Sequence, residues 1–258
     1  MSRRIKRYIA AMLSLLMACT AMAQDSQVDA NEPIATEAPK AHSIAILKAP
    51  EPSFYAMENK SHVGGLIHFF RNNALGSNLS MDFLRLKPNL AELINQDVSA
   101  QLKAKNISLS ASPKVNINPE KPWKLDYSSL SKHDKPVLFV YVESIGVKSQ
   151  RNEEAYKPFI YLVFCLITPK YTNDCTEFGR SSFGDGADED SEEGWSITNT
   201  REEQWRNADE VYANLPEINQ AYRRVLPRMT SWLVNYVTNY LDSDAYKKIA
   251  EKYAKTQE

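Results

Sequence analysis

PFIYLVFCLIT, residues 158–168, is the stretch of sequence that decides the fold. Successive side chains of a β-strand point to opposite faces of the sheet, and here both sets are apolar. Both faces must therefore be covered, which predicts a central strand. One face presents Ile160, Leu162, Phe164 and Leu166, and the other presents Phe159, Tyr161, Val163, Cys165 and Ile167.

The segments beside this strand predict its partners in the sheet. Residues 137–147, VLFVYVESIGV, have the β-branched and aromatic composition of a strand. A polar turn over 149–157 joins them to the central strand, and residues 174–180 supply a returning strand after a second short turn. The sequence therefore predicts a hairpin of two or three strands.

Cys165 lies in the central strand, and Cys175 follows the second turn. Their spacing places them roughly opposite each other across this hairpin. An oxidising compartment permits a disulfide between them, and so small a loop would stabilise the fold by about 2–3 kcal/mol. The alternative is one buried and one exposed free thiol. The spacing alone leaves both interpretations open.

The region before the hairpin alternates strand, loop and helix. Residues 42–49 (HSIAILKA) predict a strand, and residues 51–61 predict an irregular polar loop. A helix is predicted over 89–105, with Asn89 as its cap and Glu92 as the acidic partner of a capping box. Apolar and serine residues alternate over 107–111, which predicts a half-buried strand.

The C-terminal region is predicted to be helical. Thr200 and Glu203 have capping-box spacing, and Pro216 can occupy the first turn of the next helix. Pro227 is expected to kink or divide that helix, and residues 243–256 form a charged final helix. Apolar and aromatic residues recur at helical spacing along this helix and are predicted to pack in the core. They are Ile218, Tyr222, Val225, Met229, Trp232, Tyr236 and Tyr240.

Residues 1–23 have the layout of a bacterial secretion signal. A basic segment at 1–8 precedes an apolar region of ten residues at 9–18, interrupted only by Ser14 and too short to cross a membrane. Two cleavage sites fit: one before Cys19, which would become the lipidated first residue, and one after Ala23. Residues 24–41 are polar and proline-containing, typical of a disordered linker, and 42–258 form a single predicted domain.

Charge and composition argue against several classes of protein. The net charge is −1, and it becomes −5 once the four basic residues of the signal are removed. A mildly acidic surface repels phosphate backbones, so no nucleic-acid partner is expected. With 8 glycines in the chain, a glycine-rich nucleotide site is not expected either.

No catalytic or metal-binding motif stands out. The sequence lacks G-x-S-x-G, P-loop, H-E-x-x-H and C-x-x-C patterns. The acidic run over 184–194 does not have the spacing of a calcium loop and is interpreted as a solvated loop. The sequence therefore predicts a protein that is not an enzyme and has no cofactor.

Two surfaces are the predicted partner contacts. The apolar run 63–70 (VGGLIHFF) is either a buried helix or a surface that meets a membrane or partner, and its contact residues are Val63, Leu66, Ile67, Phe69 and Phe70. The second surface is the acidic loop with Trp195. These residues are the predicted site of a protein without catalytic chemistry.

The order of elements resembles a known kind of module. The chain has a signal with a possible lipidation site at Cys19, then a linker, and then a folded region over about 42–241. This region has the order strand, helix, strand, hairpin and C-terminal helices, and it is similar to the periplasmic α/β modules of envelope assembly lipoproteins. Examples are the curli-secretion lipoprotein, the N-terminal domain of the TolB type and the lipoprotein activators of penicillin-binding proteins. The chain also looks like uncharacterised proteobacterial lipoproteins, in which Phe164-Cys165 and Asp174-Cys175 are the matching positions.

These observations predict an α/β (α+β) fold with a mixed, mainly antiparallel sheet, helices packed on it and long C-terminal helices. The expected function is non-enzymatic: a periplasmic envelope protein, anchored to the outer membrane if Cys19 is acylated, that contacts envelope proteins or a second copy of itself. The alternative is a periplasmic hydrolase or small-ligand-binding protein.

Overall fold

The computed structural model describes residues 42–59, 77–149, 155–171, 174–184, 194–199 and 203–255. Predictions that fall elsewhere, including the signal, the linker and the 63–70 run, lie outside the described residues. The strands are β1 (Ser43–Leu47), β2 (Ala56–Asn59), β3 (Ser108–Ser110), β4 (Val137–Ser149), β5 (Tyr156–Ile167), β6 (Glu177–Phe183) and β7 (Gly194–Ile197). The helices are α1 (77–85), α2 (Leu90–Ala104), α3 (Tyr127–Leu130), α4 (Ala208–Ala213), α5 (Leu215–Asp242) and α6 (Asp244–Ala254).

The described strands form one mixed sheet in the order β3-β1-β4-β5-β6-β7, with β2 also paired to β4. The two long ladders, β4–β5 and β5–β6, are antiparallel, and the shorter ladders at their flanks are parallel. The predicted fold class and the central position of β5 are therefore confirmed. The returning strand was predicted too early in the chain, because β6 begins at Glu177 and runs to Phe183.

β1 and β2 lie one after the other beside β4. β1 pairs with the first residues of β4, and β2 pairs with its last four. The prediction of an irregular loop over 51–61 was wrong for β2, whose short sequence AMEN has no apolar alternation and is ordered by pairing. Gly146 permits this pairing, since a Cβ there would lie 2.0 Å from the Ala56 carbonyl oxygen and its φ is +156°.

Helices α2 and α5 cover one face of the sheet, here called the helix-covered face. Its β5 residues are Ile160, Leu162, Phe164 and Leu166, all fully buried in the main core cluster. The Tyr222 hydroxyl of α5 donates to the Gly146 carbonyl at 2.7 Å, which ties the helix to β4. The apolar set predicted for this face is therefore confirmed.

The N-terminus of α2 is capped by a residue distant in sequence. Asn89 has left-handed backbone geometry, with φ 52°, and its side chain caps nothing. The two carboxylate oxygens of Glu51 instead accept from the backbone N–H groups of Leu90 (2.9 Å) and Ala91 (2.8 Å). The capping-box prediction was wrong because the β1–β2 connection brings a carboxylate to the exposed helix donors.

α5 is a continuous helix of 28 residues with Pro216 in its first turn, as predicted. The predicted division of the helix at Pro227 was wrong, and the predicted kink there stays a prediction. Pro227 lies on the exposed side of the helix, where water can satisfy the carbonyl that loses its hydrogen bond.

The buried stripe of α5 departs from its predicted course after Met229. It continues through Leu233, Val237 and Leu241, along the row of residues four apart. Trp232 and Tyr240 are half-buried, and Tyr236 is 40% exposed. These three aromatic residues therefore lie at the edge of the core rather than within it.

The helix before α5 also begins later than predicted. Thr200 lies outside the described residues, and Glu203 is not helical. Trp205 forms an isolated bridge with Tyr156, and α4 starts after Asn207, whose side chain accepts from the Glu210 backbone N–H at 2.9 Å. A strand-like contact therefore occupies the residues where a helical turn was predicted.

The opposite face, here called the cavity face, is covered by residues 111–135 instead of long helices. A smaller buried cluster on this face includes Val163, Cys165 and Ile167 of β5. Val115, Ile117, Leu125 and Tyr127 of the covering segment pack against it. The two apolar sets of β5 are thus buried by different kinds of structure.

Candidate functional site

A cavity of about 430 Å³ lies between the cavity face and the segment that covers it. This volume is in the range of pockets that bind small molecules or single side chains. Four of its lining residues are aromatic and come from three parts of the chain: Trp123, Tyr127, Tyr141 and Phe178. We refer to these rings and the space between them as the aromatic cavity.

The disulfide between Cys165 and Cys175 forms one wall of the aromatic cavity. The bond links β5 to the residues before β6, with the two Cα atoms 5.2 Å apart. Of the two interpretations that the sequence left open, the disulfide is therefore the one found. The Tyr127 hydroxyl lies 3.7 Å from the Cys175 Sγ.

Tyr127 is positioned by the short helix α3. The Asp126 carboxylate accepts from the Ser128 hydroxyl at 2.6 Å, from the Ser129 hydroxyl at 2.5 Å and from the Ser129 backbone N–H at 3.2 Å. These hydrogen bonds lower the pKa of Asp126 to about 2. The cap therefore stays ionised, and α3 presents Tyr127 to the sheet.

The four rings differ in depth. Tyr141 is buried and stacks on Phe139 at 5.0 Å between ring centroids. Trp123 and Phe178 lie at the rim, where they are 48% and 45% exposed. Exposed apolar side chains mark contact sites when they cluster, as these two rings do at the mouth of one cavity.

Asp174 is the one charged side chain among the described residues that line the cavity. Burial, together with the charge of Asp174 and a hydrogen bond to it, raises the pKa of Tyr127 to about 12. Burial also raises the pKa of Tyr141, and nearby Glu143 adds to the effect. Both phenols therefore stay neutral at physiological pH and can act as hydrogen-bonding groups, not as bases.

Beyond Tyr141, the charged side chains of the cavity face contact polar or aromatic groups. Arg180 Nη2 lies 2.5 Å from Glu143 Oε2, and its guanidinium lies over the Tyr161 ring at 5.5 Å. Lys148 Nζ contacts the Tyr161 hydroxyl at 3.1 Å. The Asp174 carboxylate accepts a hydrogen bond from the Cys175 backbone N–H at 2.7 Å.

A second, more open depression of about 660 Å³ lies between the end of β1 and α2. Its lining is polar and includes Lys48, Glu92 and Lys103. Most of these side chains belong to the solvated surface of α2, and none of them is aromatic. We therefore take the aromatic cavity as the candidate site.

The contact residues predicted from sequence do not coincide with this cavity. The residues Val63, Leu66, Ile67, Phe69 and Phe70 lie outside the described residues, as does Cys19. Trp195 lies on β7, which pairs with β6, and its side chain is likewise not described. Both surfaces therefore stay predictions.

Sequence analysis missed the rings of the aromatic cavity. Trp123 lies in a proline-containing loop that carries no periodic pattern, and Phe178 was assigned to the returning strand without a direction. No local signal marks Phe178, because alternation counted over the three residues from Cys175 would place it on the opposite face. β6 begins only at Glu177, and its register sets Phe178 directly opposite Cys165 on the cavity face.

Among the described residues, no group of three or more His, Cys, Asp and Glu side chains could hold a metal ion. None of the helices in the described part of the chain is both long and apolar enough to cross a membrane.

Comparison with known proteins gives little further information. The chain matches no protein-family model. No curated protein matches it either. A lipoprotein of Neisseria meningitidis is 12% identical over 55% of this chain and 81% of that one, with a TM-score of 0.29. A hemagglutinin homolog from Helicobacter pylori is 13% identical over 83% and 91% of the two chains, with a TM-score of 0.28. Neither likeness is strong enough to carry an argument about function.

Proposed function

We propose that the protein is exported to the cell envelope and acts there without catalysis, by binding a partner protein through the aromatic cavity. The observation that carries this proposal is the pair of half-exposed rings, Trp123 and Phe178, at the mouth of a cavity whose lining includes the buried side chains of Tyr141 and Cys165. Tryptophan and tyrosine are enriched among the residues that contribute most to protein–protein binding, and a partner that covered these rings would complete their burial.

The electrostatics of the cavity support binding over catalysis. General bases need a pKa near the working pH, whereas burial moves the pKa of Tyr127 and Tyr141 away from it. The disulfide wall is rigid and is not in its nucleophilic thiolate form. A cavity with these properties can bind a group but supplies it with neither a general base nor a nucleophile from these residues.

The envelope location rests on the N-terminal sequence. The basic segment, the ten-residue apolar region and the two possible cleavage sites, before Cys19 and after Ala23, are typical of export. The resemblance to envelope assembly lipoproteins adds the expectation of an outer-membrane anchor. Intact-mass analysis of the protein from its native host tests this directly. An acylated Cys19 supports the anchor, Gln24 as a free first residue removes it, and retention of Met1 contradicts export.

Partner binding is tested by placing a photoreactive amino acid at Phe178 and crosslinking in living cells. Tyr236 is the matched control position, since it is an aromatic residue of similar exposure on the helix-covered face. We expect a discrete envelope-protein adduct from position 178 that is absent from 236. The adduct should also disappear when Trp123→Ala is added. Equal labelling from both positions, or an adduct that survives this substitution, contradicts the proposal.

The cavity volume also favours a second candidate, a periplasmic protein that binds a small ligand. A pocket of about 430 Å³ can enclose a small molecule. Native mass spectrometry of the protein purified from its host separates the two functions. A stoichiometric bound small molecule that depends on Trp123 favours the second candidate.

A further inference from the structure

We propose that the occupant of the aromatic cavity is a positively charged side chain, Lys or Arg, on the surface of the partner protein. This inference rests on the proposed function and names the chemistry of its contact. It follows from three features: the rings that line the cavity, the single carboxylate among its described lining residues, and the opening at its rim.

The rings provide the first part of the recognition. A cation is attracted to the negative face of an aromatic ring, most strongly to tryptophan, when it approaches within about 6 Å of the centroid. Trp123, Tyr127, Tyr141 and Phe178 supply such faces around one space. The same sheet already uses this interaction, since the Arg180 guanidinium lies 5.5 Å from the Tyr161 ring centroid.

The charge of the cavity provides the second part. Asp174 lines the cavity and interacts with Tyr127. Arg180, the cation that influences Tyr141, is paired with Glu143 at 2.5 Å. The charged group among the described lining residues is therefore a carboxylate, which favours a cation over an anionic occupant.

The shape of the site selects a side chain that projects from a surface. Lys and Arg have apolar stems and charged heads, so they can pass between two rings and place the head near a carboxylate. The rings at the rim, Trp123 and Phe178, are positioned to contact such a stem. Tyr127 and the exposed carboxylate of Asp174 both contact Cys175 of the disulfide wall, and the head would bind beside them.

The test uses the full-length processed protein with ¹⁵N-labelled tryptophan, observed through the indole resonance of Trp123. The probes are Nα-acetyl-lysine methylamide, whose ε-ammonium group is free, and the corresponding arginine and norleucine compounds. The norleucine side chain is similar in length to that of lysine but is uncharged. We expect both cationic probes to shift this resonance at millimolar concentration. The norleucine probe should bind at least about five-fold more weakly than the lysine probe. Trp123→Phe assigns the resonance.

Two variants locate the effect in the cavity. Asp174→Asn keeps an oxygen that can accept from the Cys175 N–H but removes the charge, and it should weaken the lysine probe by about three- to ten-fold. Phe178→Leu removes one ring face without touching the disulfide. Unchanged binding in both variants, or equal binding of the lysine and norleucine probes, overturns the cation selectivity.

The outcomes for the two proposals are separable. If the position-178 adduct forms in cells but the cationic probes do not bind selectively, partner binding stands and the cationic occupant is wrong. If the cationic probes bind but no adduct forms, the proposal that the cation belongs to a partner protein is wrong, and the cavity binds a free organic cation instead. If the adduct forms, replacing the crosslinked Lys or Arg of the partner with Gln should abolish it.

Discussion

The two faces of the sheet are built from one central strand, yet they are stabilised in different ways. On the helix-covered face, large apolar side chains of β5 are closed off by α2 and α5. On the cavity face, a smaller cluster is covered by an irregular segment and fastened by the Cys165–Cys175 disulfide. Close packing suits a face that only supports the fold, whereas loose cover leaves room for a binding site.

The local chemistry explains the division. A long helix excludes water along its whole length and needs no further cover. Residues 111–135 contain three prolines and no helix longer than α3. Such a segment cannot fill the space above a sheet, so a cavity remains, and a covalent bond supplies part of the stability that packing does not.

The largest expected effect tests packing on the two faces with the same residue type. Phe164→Ala removes a fully buried ring from the helix-covered face and should lower the free energy of unfolding by about 3–5 kcal/mol. Phe178→Ala, on the neighbouring strand and 45% exposed, should cost about 1 kcal/mol or less. Urea denaturation measures both, and equal losses would contradict the contrast between the faces.

Removal of the disulfide tests how far the cavity face depends on it. Cys165→Ala combined with Cys175→Ala should lower the free energy of unfolding by about 2–3 kcal/mol, because the open chain gains conformational freedom when unfolded. Reduction of the unmodified protein should give a similar loss, and reductant should not affect the double variant. A double variant as stable as the parent would show that packing alone holds this face.

Gly179 tests the closeness of packing on the helix-covered face. A Cβ at this position would lie 2.3 Å from the Phe164 ring, so Gly179→Ala should cost about 1–3 kcal/mol. Adding Phe164→Leu, which removes the ring, should make the alanine less costly than it is alone. A double-mutant cycle measures this coupling. Additive losses would show that the ring can move aside freely.

The smallest expected effect compares one tyrosine from each side of the sheet at high pH. Burial raises the pKa of Tyr127, beside the disulfide, and of Tyr246, on α6, from an ordinary value of 10.0 to about 12. Between these values the unfolded chain has lost more protons than the folded one. Stability should therefore be unaffected by these groups below pH 10 and should fall as the pH rises from 10 towards 12.

Asp174 distinguishes the two phenols. It contributes to the raised pKa of Tyr127, whereas the charge effect on Tyr246 comes from Tyr240. Asp174→Asn should therefore lower the pKa of Tyr127 part of the way to its ordinary value and leave Tyr246 unchanged. Ultraviolet titration of phenolate, with Tyr127→Phe and Tyr246→Phe as assignments, measures this. A shift in both phenols would mean that the carboxylate acts through the whole fold.

Sequence reasoning succeeded where the signal was periodic and local. The alternation over 158–168 identified the central strand and assigned its residues to two faces, and the helical spacing after Asn89 located α2. It failed where a contact joins distant residues. Glu51, which caps α2, is 39 residues from Leu90 in the sequence. β2 is ordered by pairing with β4, in which Ala56 lies opposite Gly146, a residue 90 positions later.

The candidate site could be predicted only in part for the same reason. The disulfide pairing was within reach because a short turn separates its cysteines, and it was one of two open interpretations. The aromatic cavity was not, since Trp123 and Tyr141 lie in segments whose spacing does not place them together. The predicted contacts at 63–70 and Trp195 were chosen by composition, which indicates apolar surface without its position.

The amino-acid sequence by itself determined that a strand with two apolar faces lies at the centre of a mixed sheet, because alternation along a strand is a property of the backbone. The tertiary structure decided which face received helices and which received a loop, a disulfide and an aromatic cavity. That choice depends on contacts between segments far apart in the chain, and no local pattern of hydrophobicity encodes them.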